Sequence, residues 1–478
     1  MKFAAIDQGT TSTRALVADQ QGCLNIVHTC SHRQYYPQPG WVEHDPEELI
    51  TNIQACADAA GLVDAFAIDN QGESCVAWHA ETKKALSPVV VWQDSRTIDV
   101  IHQLKEQGLE KDVKSRSGLP LDTYFSASKM AWMINNISAV GDAYRAGQLR
   151  LGTTDAFFLD RLTGHFKSDV STASRTSLMN INTLQWDPVL CDIFGVPIEC
   201  LPEICSTTGD FGKLKTATGL IPVTASIVDQ QAALFGFGCR LPGDVKITFG
   251  TGAFAQVITG SELNVNFNSQ LLPTVAWQIG QKPPVYALDG GVYTASASLN
   301  WARSLGLFSN FSEINSFDSP PMIEQGLVFV PALSGLGCPY WESETRGSWQ
   351  GLGLSHDAFS LVQSIIEGVA YRGLEIIKSM EEIGPINGAI VIDGGMSKNP
   401  YFTQFLANVL QRDIKPARFS ELTAYGAARL AAIGLGEDLD DYTEYQLITP
   451  QANYQHYLPM FKKACSMASN WAAIKSHH

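Results

Sequence analysis

The chain lacks several features that would place it in a specialised class of protein. None of its 10 cysteines forms a Cys-x-x-Cys pair and no histidine lies among them at metal-ligand spacing, which argues against a zinc site. No apolar run reaches the ~18 residues that a membrane span requires. The N-terminus has no basic-then-apolar signal segment. We therefore expect a cytoplasmic protein with reduced thiols and no membrane partner.

Charge is sparse and one-sided. Charged residues make up 17% of the 478, and 33 Lys+Arg against 48 Asp+Glu leave a net charge of −15. Such an acidic balance argues against nucleic acid as a partner, because phosphate backbones are bound by clustered cations. A phosphorylated small ligand stays compatible, since it needs only a few local donors. A chain of this length, with 45% apolar residues, can bury ample core without disulfide support.

The two halves of the sequence repeat one plan. Three strands are predicted at the start, at Phe3–Asp7, Thr13–Asp19 and Cys23–Thr29. Ile6–Leu16 aligns without a gap with Ile247–Val257, where a strand, a Gly-Thr turn and a strand recur. This repeat indicates two related α/β domains, which we place at residues 1–238 and 239–478. No Pro/Ser-rich linker separates them, so we expect them to pack together across a cleft.

Helices are predicted from capping residues and apolar spacing. Asp45 can cap a helix that has Pro46 at its first position. Further helices are predicted at about 294–305, 357–382, 400–411 and 422–434.

Three turns could bind phosphate groups. Asp7-Gln-Gly-Thr-Thr-Ser-Thr-Arg14 offers backbone N–H groups and hydroxyls to an anion, a carboxylate suited to Mg²⁺, and a guanidinium for a terminal phosphate. Phe249-Gly-Thr-Gly-Ala253 is a second such loop, and Asp393–Asn399 begins a helix where nucleotides dock in open α/β sheets. Taken alone, each is also compatible with an ordinary turn or helix entry. None has the Gly-x-x-x-x-Gly-Lys-Ser/Thr pattern of a P-loop.

A carboxylate near the junction of the halves is a candidate general base. Asp229 follows an apolar stretch and opens a predicted helix, so it could accept a proton from a hydroxyl nucleophile. The alternative is that it only caps the helix. Aromatic and polar residues cluster at 71–73, 92–96 and 124–126, and such clusters suit a sugar or polyol. Core packing is the alternative for each aromatic residue.

The order of these motifs resembles that of the FGGY carbohydrate kinases. The matching segments span the whole chain in family order and are AIDQGTTSTRALV, PGWVEHDPEE, VVWQDSRT, YFSASKMAWMINN, GTTDAFFLDRLTG, DQQAALFG, FGTGAF, SGLGCPYW and DGGMSKN. The resemblance implies an α/β fold of two ribonuclease H-like (actin/hexokinase-like) domains with ATP in the cleft between them. It implies ATP- and Mg²⁺-dependent phosphorylation of a terminal hydroxyl of a small sugar or polyol, by a homodimer or homotetramer.

The resemblance also implies roles for individual residues. Asp229 corresponds to the catalytic base and Asp7 to the Mg²⁺ partner. The residues implied for nucleotide binding are Thr10, Thr11 and Arg14 in the first loop, Gly250 and Thr251 in the second, and Ser296, Asn300, Gly395 and Asn399. The residues implied for acceptor binding are Gly72, Glu73, Trp92, Asp94, Tyr124, Asp229, Gln230 and Phe254.

One position departs from the family pattern. Members that phosphorylate glycerol have Arg before the Glu of an Asn-Gln-Arg-Glu-Thr stretch, whereas this chain has Asn70-Gln71-Gly72-Glu73-Ser74. Loss of that arginine removes charge-assisted hydrogen bonds worth about 1.5–3 kcal/mol and opens side-chain volume. We therefore predict an acceptor longer than glycerol, such as a tetritol, a pentitol or a ketose, with glycerol itself as the alternative.

A rival from another class is a non-catalytic nucleotide switch on the same fold, as in actin or the heat-shock chaperones. Both phosphate loops fit that reading too. The Asp229-Gln-Gln stretch and the aromatic residues favour the enzyme, because a filament or a chaperone has no need of a sugar pocket.

Overall fold

The structure is a computed structural model that describes residues 1–263, 270–442 and 444–475. The strands of the first half are β1 (Lys2–Gln8), β2 (Ser12–Asp19), β3 (Leu24–Ser31), β4 (Glu43–His44), β5 (Ala65–Asn70), β6 (Cys75–His79), β7 (Val89–Val90), β8 (Leu149–Thr153), β9 (Lys167–Asp169), β10 (Met179–Asn180), β11 (Gln185–Trp186), β12 (Glu203–Cys205), β13 (Lys213–Thr216) and β14 (Gly219–Val228). Its helices are α1 (Pro46–Ala59), α2 (Ile98–Glu106), α3 (Glu110–Ser117), α4 (Ser126–Asn136), α5 (Ser138–Arg145), α6 (Thr154–Leu162), α7 (Val170–Ala173), α8 (Pro188–Phe194) and α9 (Asp229–Gly236).

The second half has fewer and longer elements. Its strands are β15 (Val245–Phe249), β16 (Ala253–Gly260), β17 (Leu272–Trp277), β18 (Val285–Val292), β19 (Val328–Val330), β20 (Ser348–Gln350), β21 (Ile390–Asp393) and β22 (Ile414–Pro416). Its helices are α10 (Ser296–Ser304), α11 (Ala358–Glu381), α12 (Pro400–Leu410), α13 (Leu422–Gly434) and α14 (Leu458–Lys475). Within the described ranges, no helix combines the length and the apolar character required to cross a bilayer.

Each half builds a six-stranded sheet around the same five-strand pattern. In the first sheet, of order β13-β14-β5-β1-β2-β3, strands β1, β2 and β3 pair antiparallel, while β5 and β14 run parallel to β1. In the second sheet, of order β17-β18-β16-β15-β21-β22, β15, β16 and β18 are the antiparallel strands, and β21 and β22 are the parallel ones. This shared order confirms the prediction of two ribonuclease H-like halves.

The elements that were predicted from local sequence patterns are present in the structure. The Asp45 carboxylate accepts a hydrogen bond from the backbone N–H of Glu47 at 2.9 Å and begins α1. The first three strands and helices α10 to α13 lie where they were predicted, with ends that differ by one or two residues. Such shifts are usual at element ends, which are set by capping contacts rather than by apolar spacing.

Two helices lie between the sheets. An apolar cluster rich in alanine joins the inner face of the first sheet to α9, α13 and residues of the second sheet. Helix α13 belongs by sequence to the second half, yet it packs against β1, β5 and β14 of the first. The boundary between residues 238 and 239 falls in the connection from α9 to β15 and stays a prediction.

Candidate active site

Two hairpins with the predicted phosphate loops occupy equivalent places in the two sheets. In the first, the turn between β1 and β2 is closed by the N–H of Gly9, which donates to the carbonyl of Ser12 at 3.0 Å. In the second, between β15 and β16, the carbonyl of Gly250 accepts from the backbone N–H and the hydroxyl of Ser296, at 3.0 and 2.6 Å. The Thr251 carbonyl accepts from the N–H of Ala295 at 2.8 Å. The first turn of α10 therefore holds the second loop in place.

A cavity of about 100 Å³ lies between the halves. Its lining comes from both sheets and consists of Thr10, Gly72, Glu73, Trp92, Tyr124, Arg175, Val228, Asp229, Gln230, Gln231, Phe254, Gln256 and Asp289. The tertiary structure thus brings seven of the eight residues implied for acceptor binding to one place, although they are spread from position 72 to position 254.

Asp229 is the first residue of α9 and opens into this cavity. Its carboxylate also accepts from the backbone N–H of Gln230 at 2.7 Å in the first turn of the helix, so the side chain contacts the helix start as well as lining the cavity. Burial raises the pKa of Asp229 to about 7, helped by the charges of Glu73 and Asp7, while the N–H of Gln230 and the Lys246 cation oppose the shift. A carboxyl group with a pKa near neutrality is suited to accept and release a proton.

The aromatic residues form an apolar wall. The rings of Trp92 and Tyr124 meet edge to face with centroids 5.6 Å apart, and the Trp92 Nε1–H donates to Thr10 Oγ1 at 3.2 Å. Phe254, on β16, belongs to the opposite half. Such faces suit the C–H side of a polyol, while the polar groups between them suit its hydroxyls.

A buried arginine that the sequence analysis did not single out links both halves at this wall. The Arg175 Nε–H donates to Glu73 Oε1 at 2.7 Å, and its Nη2 lies 3.4 Å from Asp289 Oδ2. All three side chains are buried. Arg175 follows α7, whereas Asp289 lies on β18, so the pair spans the cleft.

The space beside Gly72 is smaller than the sequence suggested. A Cβ added to Gly72 would lie 2.8 Å from Cγ2 of Val228, which is closer than two non-bonded carbon atoms can approach. The Val228 methyl group therefore occupies the start of the path that an arginine side chain would take. The prediction that the missing arginine leaves open side-chain volume beside Gly72 is therefore corrected, because Val228 fills the start of that volume.

Three implied residues have other partners in the structure. Asp94 does not line the cavity, because its carboxylate accepts from the N–H of Val42 at 2.6 Å and is paired with Arg96 at 2.8 Å. Arg14 pairs with Glu421, the residue before α13, rather than opening toward a free phosphate site. Asp94 therefore orders the loop after Trp92, and its implied contact with the acceptor stays a prediction.

The third is Asn399, whose side chain caps α12 by accepting from the N–H of Phe402 at 2.8 Å and donates to the carbonyl of Ile314 at 2.8 Å. It therefore shapes the loop rather than presenting a free amide. A Cβ added to Gly395 would have no described atom within 4 Å. This open space suits the close approach of the flat base of a nucleotide. Asn300 and Thr11 are exposed.

Asp7 lies at the end of β1, directly beside Asp69 in the parallel register with β5. Burial raises the pKa of both carboxyls. The Asp7 carboxyl faces that of Asp69, and after burial its charge and its hydrogen bond hold the pKa of Asp69 well above the usual range. Two adjacent carboxyl groups supply hard oxygen atoms, the donors that Mg²⁺ prefers, so the residues present fit such an ion. No group of three acidic, histidine or cysteine side chains with metal-binding geometry occurs among the described residues.

Sequence reasoning missed Arg175, Gln231, Gln256 and Asp289, together with Lys246, whose Nζ donates to Oε1 of Gln230 at 3.1 Å. One signal was present, since Lys246 and Asp289 are the charged residues of two strands that are otherwise uncharged. A charged side chain in a buried strand needs a partner, but the sequence does not say which.

A cleft between two such sheets, with a predicted phosphate loop on each side and a carboxylate beside the cavity, is the arrangement of the actin/hexokinase-like sugar and polyol kinases. The chain belongs to the FGGY family of carbohydrate kinases. The model of the family's N-terminal domain matches residues 3–236, and that of its C-terminal domain matches residues 245–435. The protein is therefore a kinase that phosphorylates an alcohol group.

Individual relatives agree with this assignment. Glycerol kinase of Burkholderia pseudomallei (strain K96243) is 39% identical over 460 residues, which are 93% of this chain and 92% of the relative. The crystal structure of Plasmodium falciparum glycerol kinase with ADP has a TM-score of 0.87 at 30% identity, covering 99% of this chain and 98% of that chain. Gluconate kinase from Lactobacillus acidophilus has a TM-score of 0.88 at 21% identity, covering 98% of each chain, which shows a shared fold alone.

Proposed function

We propose that the protein transfers the γ-phosphate of ATP to a terminal hydroxyl of a small sugar or polyol, with Asp229 as the general base. The observation that carries this proposal is the Asp229 carboxyl, which opens into a cavity between the two halves and has a pKa raised to about 7. A base with such a pKa is about half ionised near neutral pH and can take up and release a proton there.

The acceptor lies in the cavity with its carbon chain against Trp92, Tyr124 and Phe254. Asp229 orients the attacking hydroxyl and accepts its proton as the oxygen approaches the γ-phosphorus. Because the transition state of phosphoryl transfer is loose, positioning and electrostatics supply most of the acceleration. A closed cleft excludes water, which would otherwise compete as acceptor.

The nucleotide is held by the two hairpins. Backbone N–H groups and hydroxyls of Thr10, Thr11 and Thr251 face the phosphates, and Gly395 receives the adenosine. Arg14 joins the phosphate site once it leaves Glu421. Asp7, with Asp69 beside it, would hold Mg²⁺, which would neutralise charge that develops on the phosphate oxygens. We place the reaction in the cytoplasm, where ATP is supplied.

The similar proteins of Burkholderia pseudomallei and Plasmodium falciparum described above are glycerol kinases. The absence of an arginine at Gly72 nevertheless supports an acceptor longer than glycerol, because the charge-assisted donors that such an arginine provides are missing. Val228 limits how much extra volume that absence supplies, so room for additional carbons must come from elsewhere in the cavity.

The test replaces the base and keeps its shape. Asp229→Asn should lower kcat by several orders of magnitude, because the amide cannot accept the proton, while ATP binding measured by calorimetry persists. Asp192→Asn, on the exposed side of α8, is the matched control and should keep full turnover. Near-normal ADP release by Asp229→Asn with any polyol or ketose would refute the assignment.

A further inference from the structure

Four buried side chains of the cavity each carry a polar atom without a hydrogen-bond partner in the described part of the chain. These atoms are Arg175 Nη1, Gln231 Oε1, Gln256 Oε1 and Asp289 Oδ1. The four residues are 3%, 1%, 1% and 7% exposed, respectively. Unpaired buried polar atoms are costly and uncommon in native proteins. Four that line one cavity indicate a surface made to bind a polar ligand.

The remaining polar atoms of Arg175, Gln231 and Asp289 hold these three side chains in fixed positions. Arg175 uses its Nε–H on Glu73 at 2.7 Å and lies 3.4 Å from Asp289 through Nη2. Gln231 Nε2 donates to Thr274 Oγ1 at 2.9 Å. The unpartnered atoms of these three side chains are therefore preorganised, so a ligand that matches them loses little free energy to side-chain ordering.

The charges around these four side chains exclude a negatively charged ligand. Arg175, the cation of the lining, is already offset by two carboxylates, Glu73 and Asp289. The Lys246 cation beside Gln230 is offset by Asp229 on the same cavity. An acidic group would meet more negative than positive charge at short range. Hydroxyl groups suit the wall better, because each can accept from the guanidinium and donate to a carboxylate or amide oxygen.

Counting donors sets the size of the ligand. Three of the four unpartnered atoms are acceptors, on Gln231, Gln256 and Asp289. A hydroxyl has one hydrogen to donate, and the hydroxyl that is phosphorylated uses its hydrogen on Asp229. Glycerol then has two hydroxyls left for three acceptors, whereas a molecule with four hydroxyls can satisfy all three.

We propose that Arg175, Gln231, Gln256 and Asp289 form a hydroxyl-binding wall, and that the acceptor is an uncharged polyol or sugar with at least four hydroxyl groups. This inference rests on the proposed function, since it assumes that one hydroxyl is phosphorylated beside Asp229. It assigns specificity to a surface that both halves of the molecule build together, rather than to the Gly72 position alone.

The first experiment measures kcat/KM of the wild-type enzyme by ADP release. The acceptors are glycerol, erythritol, xylitol, ribitol, arabinitol, xylulose and ribulose, together with the matching four- and five-carbon aldonic acids. We expect a neutral acceptor with four or more hydroxyls to exceed glycerol, and the aldonates to be the poorest substrates. Glycerol as the best substrate, or an aldonate above its polyol, would overturn the inference.

Two variants then test the wall itself. Gln256→Leu should lower kcat/KM for the best neutral acceptor by about threefold to tenfold, the equivalent of one hydrogen bond, and should lower its ratio to glycerol. Asn52→Leu, which removes an unpartnered amide nitrogen on α1 away from the cavity, is the control and should leave that ratio unchanged. If Gln256→Leu left the ratio of these two kcat/KM values unchanged, the proposal of a hydroxyl-binding wall would be contradicted.

Asp289→Asn should raise the ratio of aldonate to polyol kcat/KM by about tenfold, because one negative charge is removed at nearly constant shape. An unaltered ratio in a folded Asp289→Asn protein would contradict the charge argument. If this variant fails to fold, as judged by thermal unfolding, Gln256→Leu decides alone, since it breaks no side-chain hydrogen bond of the Gln256 oxygen. Failure of the proposed function would look different, because turnover would then be absent with every acceptor or would survive in Asp229→Asn.

Discussion

Two glycines allow α9 and α13 to touch, and substituting one of them should displace the catalytic base. A Cβ at Gly426 on α13 would lie 2.0 Å from the carbonyl oxygen of Ala232 on α9. In return, a Cβ at Gly236 would lie 1.9 Å from the carbonyl oxygen of Leu422. Asp229 is the first residue of α9, so any shift of this helix moves its carboxylate.

The structure gives the size of the displacement. An ordinary contact requires 3.4 Å, so Gly426→Ala must separate the two helices by about 1.4 Å (3.4 − 2.0). A misplacement of about 1 Å at a reacting group can cost about 100-fold in rate. Overpacking of a tight interface also costs about 1–3 kcal/mol of stability. We therefore expect kcat to fall by about 100-fold. We expect the free energy of unfolding to fall by about 1–3 kcal/mol.

The assay measures ADP release and ATP affinity at a temperature at which the variant is folded, together with urea unfolding. Gly384→Ala is the matched control, because an added Cβ there meets no described atom within 4 Å and the backbone is not left-handed. We expect the control to stay within about 0.5 kcal/mol of wild type. Wild-type kcat in a folded Gly426→Ala protein would refute the view that this helix contact positions Asp229.

Two further predictions concern charges around the site. Lys246→Met should move the acid limb of the pH profile of kcat/KM to higher pH, because the Lys246 cation lowers the pKa of Asp229 and only the ionised carboxylate acts as base. Lys246→Arg, which keeps the charge, should shift the limb less, and an identical limb in both variants would contradict the expectation. Glu421→Gln should tighten ATP binding by about twofold to fivefold in calorimetry, since Arg14 no longer has to leave a partly exposed ion pair. Unchanged or weaker ATP binding would show that Arg14 does not reach the phosphates.

Elements with strong local signals could be predicted from the sequence. The hairpin at β1 and β2 and the start of α1 were recognised because alternation, turn residues and capping act over a few positions. The repeat between Ile6–Leu16 and Ile247–Val257 anticipated two sheets of equal strand order. The resemblance to a family then anticipated that Glu73, Tyr124 and Phe254 would share one cavity.

Other features followed from contacts that no local pattern encodes. Arg175 and Asp289 are 114 positions apart (289 − 175) and meet only because the residues after α7 lie against the sheet of the second half. Val228 occupies the space beside Gly72, although the two are far apart in sequence. Asp94 and Asn399 matched the family motifs, yet their polar atoms are already used by Arg96, Val42, Ile314 and Phe402.

The sequence by itself therefore determined the class of fold and indicated the two candidate phosphate loops and the candidate base, since the family motifs that carry them are short stretches of chain. Only the tertiary structure decided which polar atoms in the cavity are left without partners, where Arg14 pairs and how much room Gly72 leaves. The physical reason is that burial and hydrogen bonding are properties of a side chain's whole surroundings, and here those surroundings come from both halves of the chain.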